Sequence, residues 1–237
     1  MTQDWLFDFG NTRLKCAPLG ADGGVGDVRA FAPSEIDSLP SGGVAYLASV
    51  AGEDARVRLL DALTGRFRRI AIARTTATFD GLRIAYANPR KLGVDRFLAM
   101  IGARDAWPAL VVGVGTGLTI DLVDAGGLHR GGRIAPSPTL MREMLHARAT
   151  QLAPIGGTYA EFANDTEDAL VSGCDGAAVA LIERSATEAT RLLGSAPTLL
   201  LHGGGADALH AHLPDARVRS TLVLEGLARW AHMEAAA

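Results

Sequence analysis

The sequence predicts an α/β fold in two similar halves, on three observations. Apolar runs short enough to be strands alternate with longer stretches of helical spacing. Each half opens on strand, glycine turn and strand, and closes on helices. Hydrophobic residues make up 48% of the 237 positions, enough for a sizeable core in one large domain or two small ones. The pattern restarts after Pro108, so the domains are expected at 1–108 and 109–237.

WLFDFG (5–10) is an apolar run ending in glycine, the mark of a buried strand. TRLKCAPL (12–19) alternates and is its antiparallel partner, with Gly10-Asn11 at the turn. DVRAF supplies a third strand, and APSEIDSL a short helix capped by Ser34. GVAYLASV (43–50) is again a buried strand, EDARVRLLDAL (53–63) a helix with acids in its first turn, and RRIAIA (68–73) a strand. Residues 75–90 lack periodicity and carry Gly81, Asn88 and Pro89, a long connection of the kind that tends to be functional. A helix is expected over about 91–106. In the second half, 109–135 reads as two or three strands joined by glycine turns, and about 138–151 as a helix. A loop over 152–165 precedes a long helix at 166–193. A strand at 197–205, a short helix and a final helix near 221–233 complete the chain.

Charge and composition exclude several classes. The formal charge is −3, and no basic run is long enough for a nucleic-acid groove; RFRR at 66–69 is the solvated lead-in to a strand. MTQD followed by a strand has no leader layout, and no apolar run reaches the roughly 18 residues of a membrane span. Two unpatterned cysteines, Cys16 and Cys174, predict no disulfide and a reducing, cytoplasmic setting. HAH at 210–212 has no acidic or cysteine neighbours at ligand spacing, and Trp5, Trp107 and Trp230 are expected in the core or at its boundary.

Three glycine turns carry the chemistry. In DFGNTRLK, Gly10 admits close approach, Asn11 and Thr12 are short and polar, Lys15 is cationic, and Asp8 ends a strand where a carboxylate could hold hydrated Mg²⁺ near phosphates. An ordinary hairpin uses the same residues. GVGTGLTID (113–121) repeats the layout, with Thr116 as a phosphate donor and Asp121 as a water-mediated metal ligand; LLLHGGGADAL (199–209) ends a third strand in glycines. Three such turns point to a nucleotide held between two domains, although 28 glycines also make such turns common. Between them lies YANPRKLGVDRF. There Asp95 could accept a hydroxyl proton and Arg96 could bind a carboxylate, or the pair is simply a first-turn acid and a solvated base. Gly173, Gly176, Ala177 and Ala180 form a small-residue face on the long helix, for close packing inside the fold or against a twin subunit.

These stretches resemble the type III pantothenate kinases. DFGNTRLK is similar to the D-x-G-N-T/S-x-x-K phosphate turn, and YANPRKLGVDR matches Y-x-x-P-x-x-L-G-x-D-R at every specified position. GTGLTID resembles the G-T-A-x-T-x-D turn, and GGRIAPSPTLMREMLHARATQL with NDTEDALVSGCDGAAVALI resembles the Gly-Gly segment and long helix. The resemblance implies two ribonuclease-H-like domains of the acetate-kinase/Hsp70/actin superfamily around a nucleotide cleft. It implies ATP-dependent phosphorylation of pantothenate, the first step of coenzyme A biosynthesis. It places ATP on Asp8, Phe9, Gly10, Asn11, Thr12, Arg13, Leu14, Lys15 and Thr116, with Mg²⁺ near Asp8 and Gly203 and Gly204 bordering adenosine. Pantothenate falls to Tyr86, Gly93, Val94, Asp95, Arg96 and Thr166, with Asp95 the proton acceptor. A homodimer is implied, its interface close to the substrate. Where many relatives carry an aspartate that binds K⁺ or NH₄⁺, this chain has Gly113. Gly117 replaces the usual alanine, and Pro136-Ser137 replaces Pro-Gly. Another small-molecule kinase of the superfamily and a non-catalytic regulator are the alternative readings.

Overall fold

The computed structural model describes residues 2–236, which divide into two compact units, one of 2–105 with 221–236 and one of 106–220.

The first unit is built on a five-stranded sheet in the order β3-β2-β1-β4-β5. Its strands are β1 (Trp5–Phe9), β2 (Leu14–Pro18), β3 (Arg29–Phe31), β4 (Gly42–Ser49) and β5 (Phe67–Ile72). β1 runs antiparallel to β2 and parallel to β4, and β4 runs parallel to β5. A strand flanked on both sides and covered on both faces is mostly apolar, which is why WLFDF reads as an apolar run with only Asp8 charged. One face packs Phe7, Phe9, Leu47 and Phe67 against Leu59 and Leu63 of α1 (Glu53–Thr64). Phe7 and Phe67 meet edge to face at 5.5 Å, the favoured geometry for aromatic pairs. Between β3 and β4 runs a 3₁₀ helix, Pro33–Ser38, with Ala32 at its N-cap. Ser34, the expected cap, is one residue inside it, and its side chain lies outside the described residues.

The last helix, α6 (Leu222–Ala236), belongs to the first unit, which corrects the domain division at 109–237. Tyr46 of β4 meets Trp230 of α6 edge to face at 6.3 Å. α6 also lies against α2 (Val94–Gly102) through two glycines. A Cβ on Gly226 would overlap the Leu98 carbonyl, and one on Gly102 would overlap the Leu222 carbonyl. The two helices therefore touch backbone to backbone. Asp80 reinforces the joint, receiving hydrogen bonds from Arg229 at 2.7 and 3.0 Å and from Arg104. Burial opposes the charge on Asp80, but the two guanidiniums outweigh it and hold the carboxyl below its ordinary value. Gly226→Ala is expected to lower stability by about 1–3 kcal/mol, or more if the helices cannot part. Gly65→Ala is the control, because the nearest atom to a Cβ there is the Ala62 carbonyl oxygen at 3.9 Å, an ordinary contact. Urea melts of both variants check this.

The second unit repeats the first sheet's connectivity, with order β10-β9-β8-β11-β12. Its strands are β8 (Ala109–Val114), β9 (Gly117–Val123), β10 (His129–Pro136), β11 (Thr198–His202) and β12 (Arg217–Val218). β8, β9 and β10 form an antiparallel meander, and β11 and β12 add in parallel. Leu110, Val112, Ile120 and Leu201 form a core with Ala178 and Ile182 of α4 (Thr166–Leu193). The N-cap Asp165 accepts from the Asp168 amide at 3.0 Å, and Gly194 closes α4 in the left-handed conformation at φ 77°. α3 (Pro138–Arg148) is capped by Ser137, whose hydroxyl accepts from the Leu140 amide at 3.2 Å. α5 (Ala206–His210) follows β11.

Candidate active site

The expected phosphate turn is a four-residue loop, 10–13, closed by the Gly10 amide donating to the Arg13 carbonyl at 3.1 Å. The second strand starts at Leu14 rather than at Thr12, so Asn11, Thr12 and Arg13 are exposed on the loop. Phe9 and Leu14 are buried in the core, which leaves only their backbone to a ligand. Asp8 and Lys15 are register partners across β1 and β2, so their side chains share one face. The loop follows the carboxyl end of β1. The end of β4 adjoins it, where the Val50 amide donates to the Phe9 carbonyl at 3.1 Å. The carboxyl edge of parallel strands is where open α/β sheets bind ligands.

The connection at 75–93 delivers the remaining residues of the first unit to this edge. The short pair β6 (Thr78–Phe79) and β7 (Leu82–Arg83) interrupts it, and a 3₁₀ turn, Pro89–Lys91, ends it. The Thr75 hydroxyl donates to the Leu92 carbonyl at 2.9 Å, and Asn88 accepts from the Arg90 amide at 3.1 Å. The helix expected over 91–106 is thus broken at Leu92-Gly93, and α2 begins at Val94 with Gly93 as N-cap. The break turns Asp95 back over the cap: a Cβ on Gly93 would lie 2.5 Å from Asp95 Oδ1 and 3.9 Å from Val50 Cγ1. Val50 is the residue that follows β4, so α2 starts directly above the sheet edge that carries Asp8.

Electrostatics tie these groups together. The Asp8 carboxyl is pushed up from 3.8 to about 7, first by burial and then by the Asp95 charge, with Lys15 pulling the other way. Two acids and a lysine, 87 residues apart at the extremes, therefore share one field. Arg96 is only 6% exposed, so its charge needs partners inside the protein. One is Tyr86: the Arg96 guanidinium donates to the Tyr86 hydroxyl at 3.4 Å and lies 6.0 Å from the ring centroid. A guanidinium steadied in this way presents a planar fork of donors suited to a carboxylate.

In the second unit, Thr116 stands exposed at the tip of the turn between β8 and β9, closed by Gly115 N–H to Gly117 O at 3.0 Å. The glycines after β11 pack on the same strand end, with the Gly205 amide donating to the Val114 carbonyl at 3.1 Å. Gly203 has φ +95°, and a Cβ there would overlap the Val114 carbonyl, so this position needs glycine. The structure thus joins two of the glycine turns, 115–117 and 203–205, into one surface. Asp121 differs from expectation. It is 2% exposed and hydrogen-bonded to His129 at 3.0 Å, so it is not held open for a water-mediated metal. Thr166 opens α4 and is exposed. His202, the residue before the glycine run, was given no role from sequence. Its side chain closes over Gly113, and a histidine ending a strand at the turn opposite a glycine was the available signal.

Comparison with known proteins adds the family. The sequence profile of the type III pantothenate kinases matches residues 5–188. Proteins named type III pantothenate kinase from Stenotrophomonas maltophilia (strain R551-3) and Xanthomonas campestris pv. campestris (strain B100) are 60% and 58% identical to the chain. The alignments cover 96% and 98% of this chain, and 97% and 99% of those proteins. In fold, a Campylobacter jejuni protein of the Baf family of transcriptional activators superposes with a TM-score of 0.68 at 18% identity, over 98% of this chain and 100% of that one. A ROK family glucokinase from Streptomyces griseus, in complex with glucose and AMPPNP, gives 0.52 at 12% identity, over 98% of this chain and 99% of that one. At these identities both likenesses are of fold alone.

Proposed function

The chain belongs to the type III pantothenate kinase family, and from that premise we propose the part each of its residues plays. The protein is an ATP-dependent pantothenate kinase: it moves the γ-phosphoryl of ATP to the primary hydroxyl of pantothenate, the first step of coenzyme A biosynthesis.

Phosphoryl transfer passes through a loose transition state, so the protein's work is alignment and charge stabilisation. The observation that carries the assignment of roles is the Asp8–Asp95–Lys15 field beside the Arg96–Tyr86 pair. Asp95 orients the pantothenate hydroxyl and accepts its proton. Arg96, steadied by Tyr86, anchors the pantothenate carboxylate, with Gly93 and Val94 offering backbone; Thr166, in the second unit, is an exposed hydroxyl donor at the start of α4. Within the first unit, the amides of the 10–13 loop and Lys15 cradle the ATP phosphates; within the second, exposed Thr116 is a hydroxyl donor for phosphate.

Mg²⁺ fits this site. Hard divalent ions take carboxylate oxygens, and Asp8 is an acid kept partly protonated by burial and by a neighbouring acid, a combination that a cation relieves. When bound beside Asp8, the ion supplies charge neutralisation on the phosphates. The check on the substrate is direct: with ATP and Mg²⁺, pantothenate is phosphorylated and glucose, the substrate in the Streptomyces griseus complex, is not. Turnover of glucose at a comparable rate would move the chain to a hexose-kinase reading.

We assign a homodimer to the second unit's apolar face. A groove of about 660 Å³ runs between α3 and α4, lined by Leu140, Met141, Met144, Leu145, Leu170 and Gly173. Met144 is 54% exposed and Leu145 44%, and contiguous apolar surface of this kind marks an interface. Light scattering should return twice the chain mass, and Leu145→Glu should return the chain mass. Among the described residues no helix is long and apolar enough to cross a membrane, and the free, buried Cys16 and Cys174 suit a reducing cytoplasm.

A further inference from the structure

The resemblance implies a monovalent cation held by a carboxylate at position 113, and the residues present do not fit one. Gly113 sits in the middle of three strands, opposite Thr119 on β9 and His202 on β11. With side chains alternating across a sheet, Thr119 and His202 rise on the same face as position 113 and flank it. They close over it. A Cβ on Gly113 would lie 2.6 Å from Thr119 Oγ1, 2.9 Å from His202 Nε2 and 3.1 Å from His202 Cε1. An aspartate needs that Cβ and three further heavy atoms, and the imidazole occupies the room they would take.

The chemistry left behind also disfavours a hard cation. Such ions take oxygen ligands, whereas imidazole suits transition metals. The next carboxylate along β9 on this face is Asp121, two residues on and about 6–7 Å away. It is buried in a 3.0 Å hydrogen bond with His129. Among the described residues no cluster of three or more His, Cys, Asp or Glu side chains could hold a metal ion.

The backbone that carries His202 is held as well. The next residue, Gly203, is pressed on the Val114 carbonyl in a conformation only glycine adopts easily, so the end of β11 cannot slide away from β8. We propose that this kinase works without a monovalent cation, because the His202 imidazole fills, over Gly113, the place where the cation's carboxylate would stand. The proposal rests on the pantothenate kinase reading for its activity arm alone.

The test compares wild-type enzyme, with ATP, Mg²⁺ and pantothenate, in K⁺, NH₄⁺ and tetramethylammonium chloride at equal ionic strength. Thermal melting with AMPPNP and Mg²⁺ in the same salts is read alongside. Rates agreeing within about twofold, with no K⁺-specific rise in Tm, are expected; a coupled ligand typically changes affinity by roughly 5–150-fold. A saturable K⁺ stimulation of about tenfold or more, or a K⁺-specific rise in Tm, overturns the proposal. The paired substitution Gly113→Asp with His202→Ala should gain a saturable K⁺ response in both readouts. If that double variant folds and stays indifferent to K⁺, His202 is not what closes the site. No phosphorylation in any salt would count against the kinase reading only, and the melting arm would still decide the cation question.

Discussion

Replacing Asp95 by asparagine lowers pantothenate phosphorylation by about 10²–10⁴-fold while the protein still folds and binds ATP. The substitution keeps the shape of the side chain and removes its basicity. Because Asp95 lies over its own N-cap, against Gly93 and near Val50, the asparagine fits the same space without a cavity. A purely structural role would leave turnover near wild type. A role in nucleotide binding would raise KM for ATP. A proton acceptor instead loses kcat with KM for ATP nearly unchanged. Steady-state kinetics with calorimetric ATP titration separates these outcomes, and near-normal kcat would remove Asp95 from the chemistry. The same variant carries a second signature. Asp95 is one of the charges that raise the Asp8 carboxyl, so its loss lets Asp8 ionise at lower pH.

Local patterning carried most of the elements. β1, β4 and β8 are largely buried and read as apolar runs, broken in β1 by the site acid Asp8, and α4 has both an Asp cap and a left-handed glycine stop. What escaped was of two physical kinds. β6, β7 and β12 are two residues each, too short for any period to show. The return of α6 to the first unit depends on contacts between residues more than 100 positions apart, as in Gly226 on Leu98, and no local spacing encodes such a contact. The site divides the same way. Asp8, Asp95 and Arg96 were legible because they sit in dense motifs. The break at Leu92-Gly93 was half legible: Gly93 directly before Val94 and Asp95 marks a helix start, but the polar Pro89-Arg90-Lys91 does not show that these residues form a separate 3₁₀ turn. His202 was missed because its significance lies across the sheet, opposite a glycine on another strand.

Asp8→Asn is expected to abolish phosphorylation and, without ligands, to make the protein more stable at alkaline pH. The sign follows from the raised carboxyl. In the unfolded chain Asp8 ionises at its ordinary 3.8, and in the folded chain at about 7. Across that window the folded state holds a proton that the unfolded state has lost, so stability falls as pH rises. Above about 7 the penalty is complete, roughly 4 kcal/mol at its limit for a shift of this size. Asparagine carries no charge to desolvate or to oppose Asp95, so the variant escapes the penalty and its stability varies less with pH. Near the ordinary value of 3.8 wild type and variant should melt alike, and they should diverge steadily up to about pH 8. Urea denaturation in a pH series without Mg²⁺ or nucleotide reads the difference. A variant less stable than wild type at alkaline pH would mean that Asp8 is satisfied in the free enzyme. Its high proton affinity would then not be the strain that a cation and phosphates relieve. The expected divergence makes Asp8 a group held ready for ligand at a cost in stability, as active-site acids commonly are. Binding of ATP with Mg²⁺ below about pH 7 should then release a proton, seen as a buffer-dependent heat in calorimetry that Asp8→Asn removes.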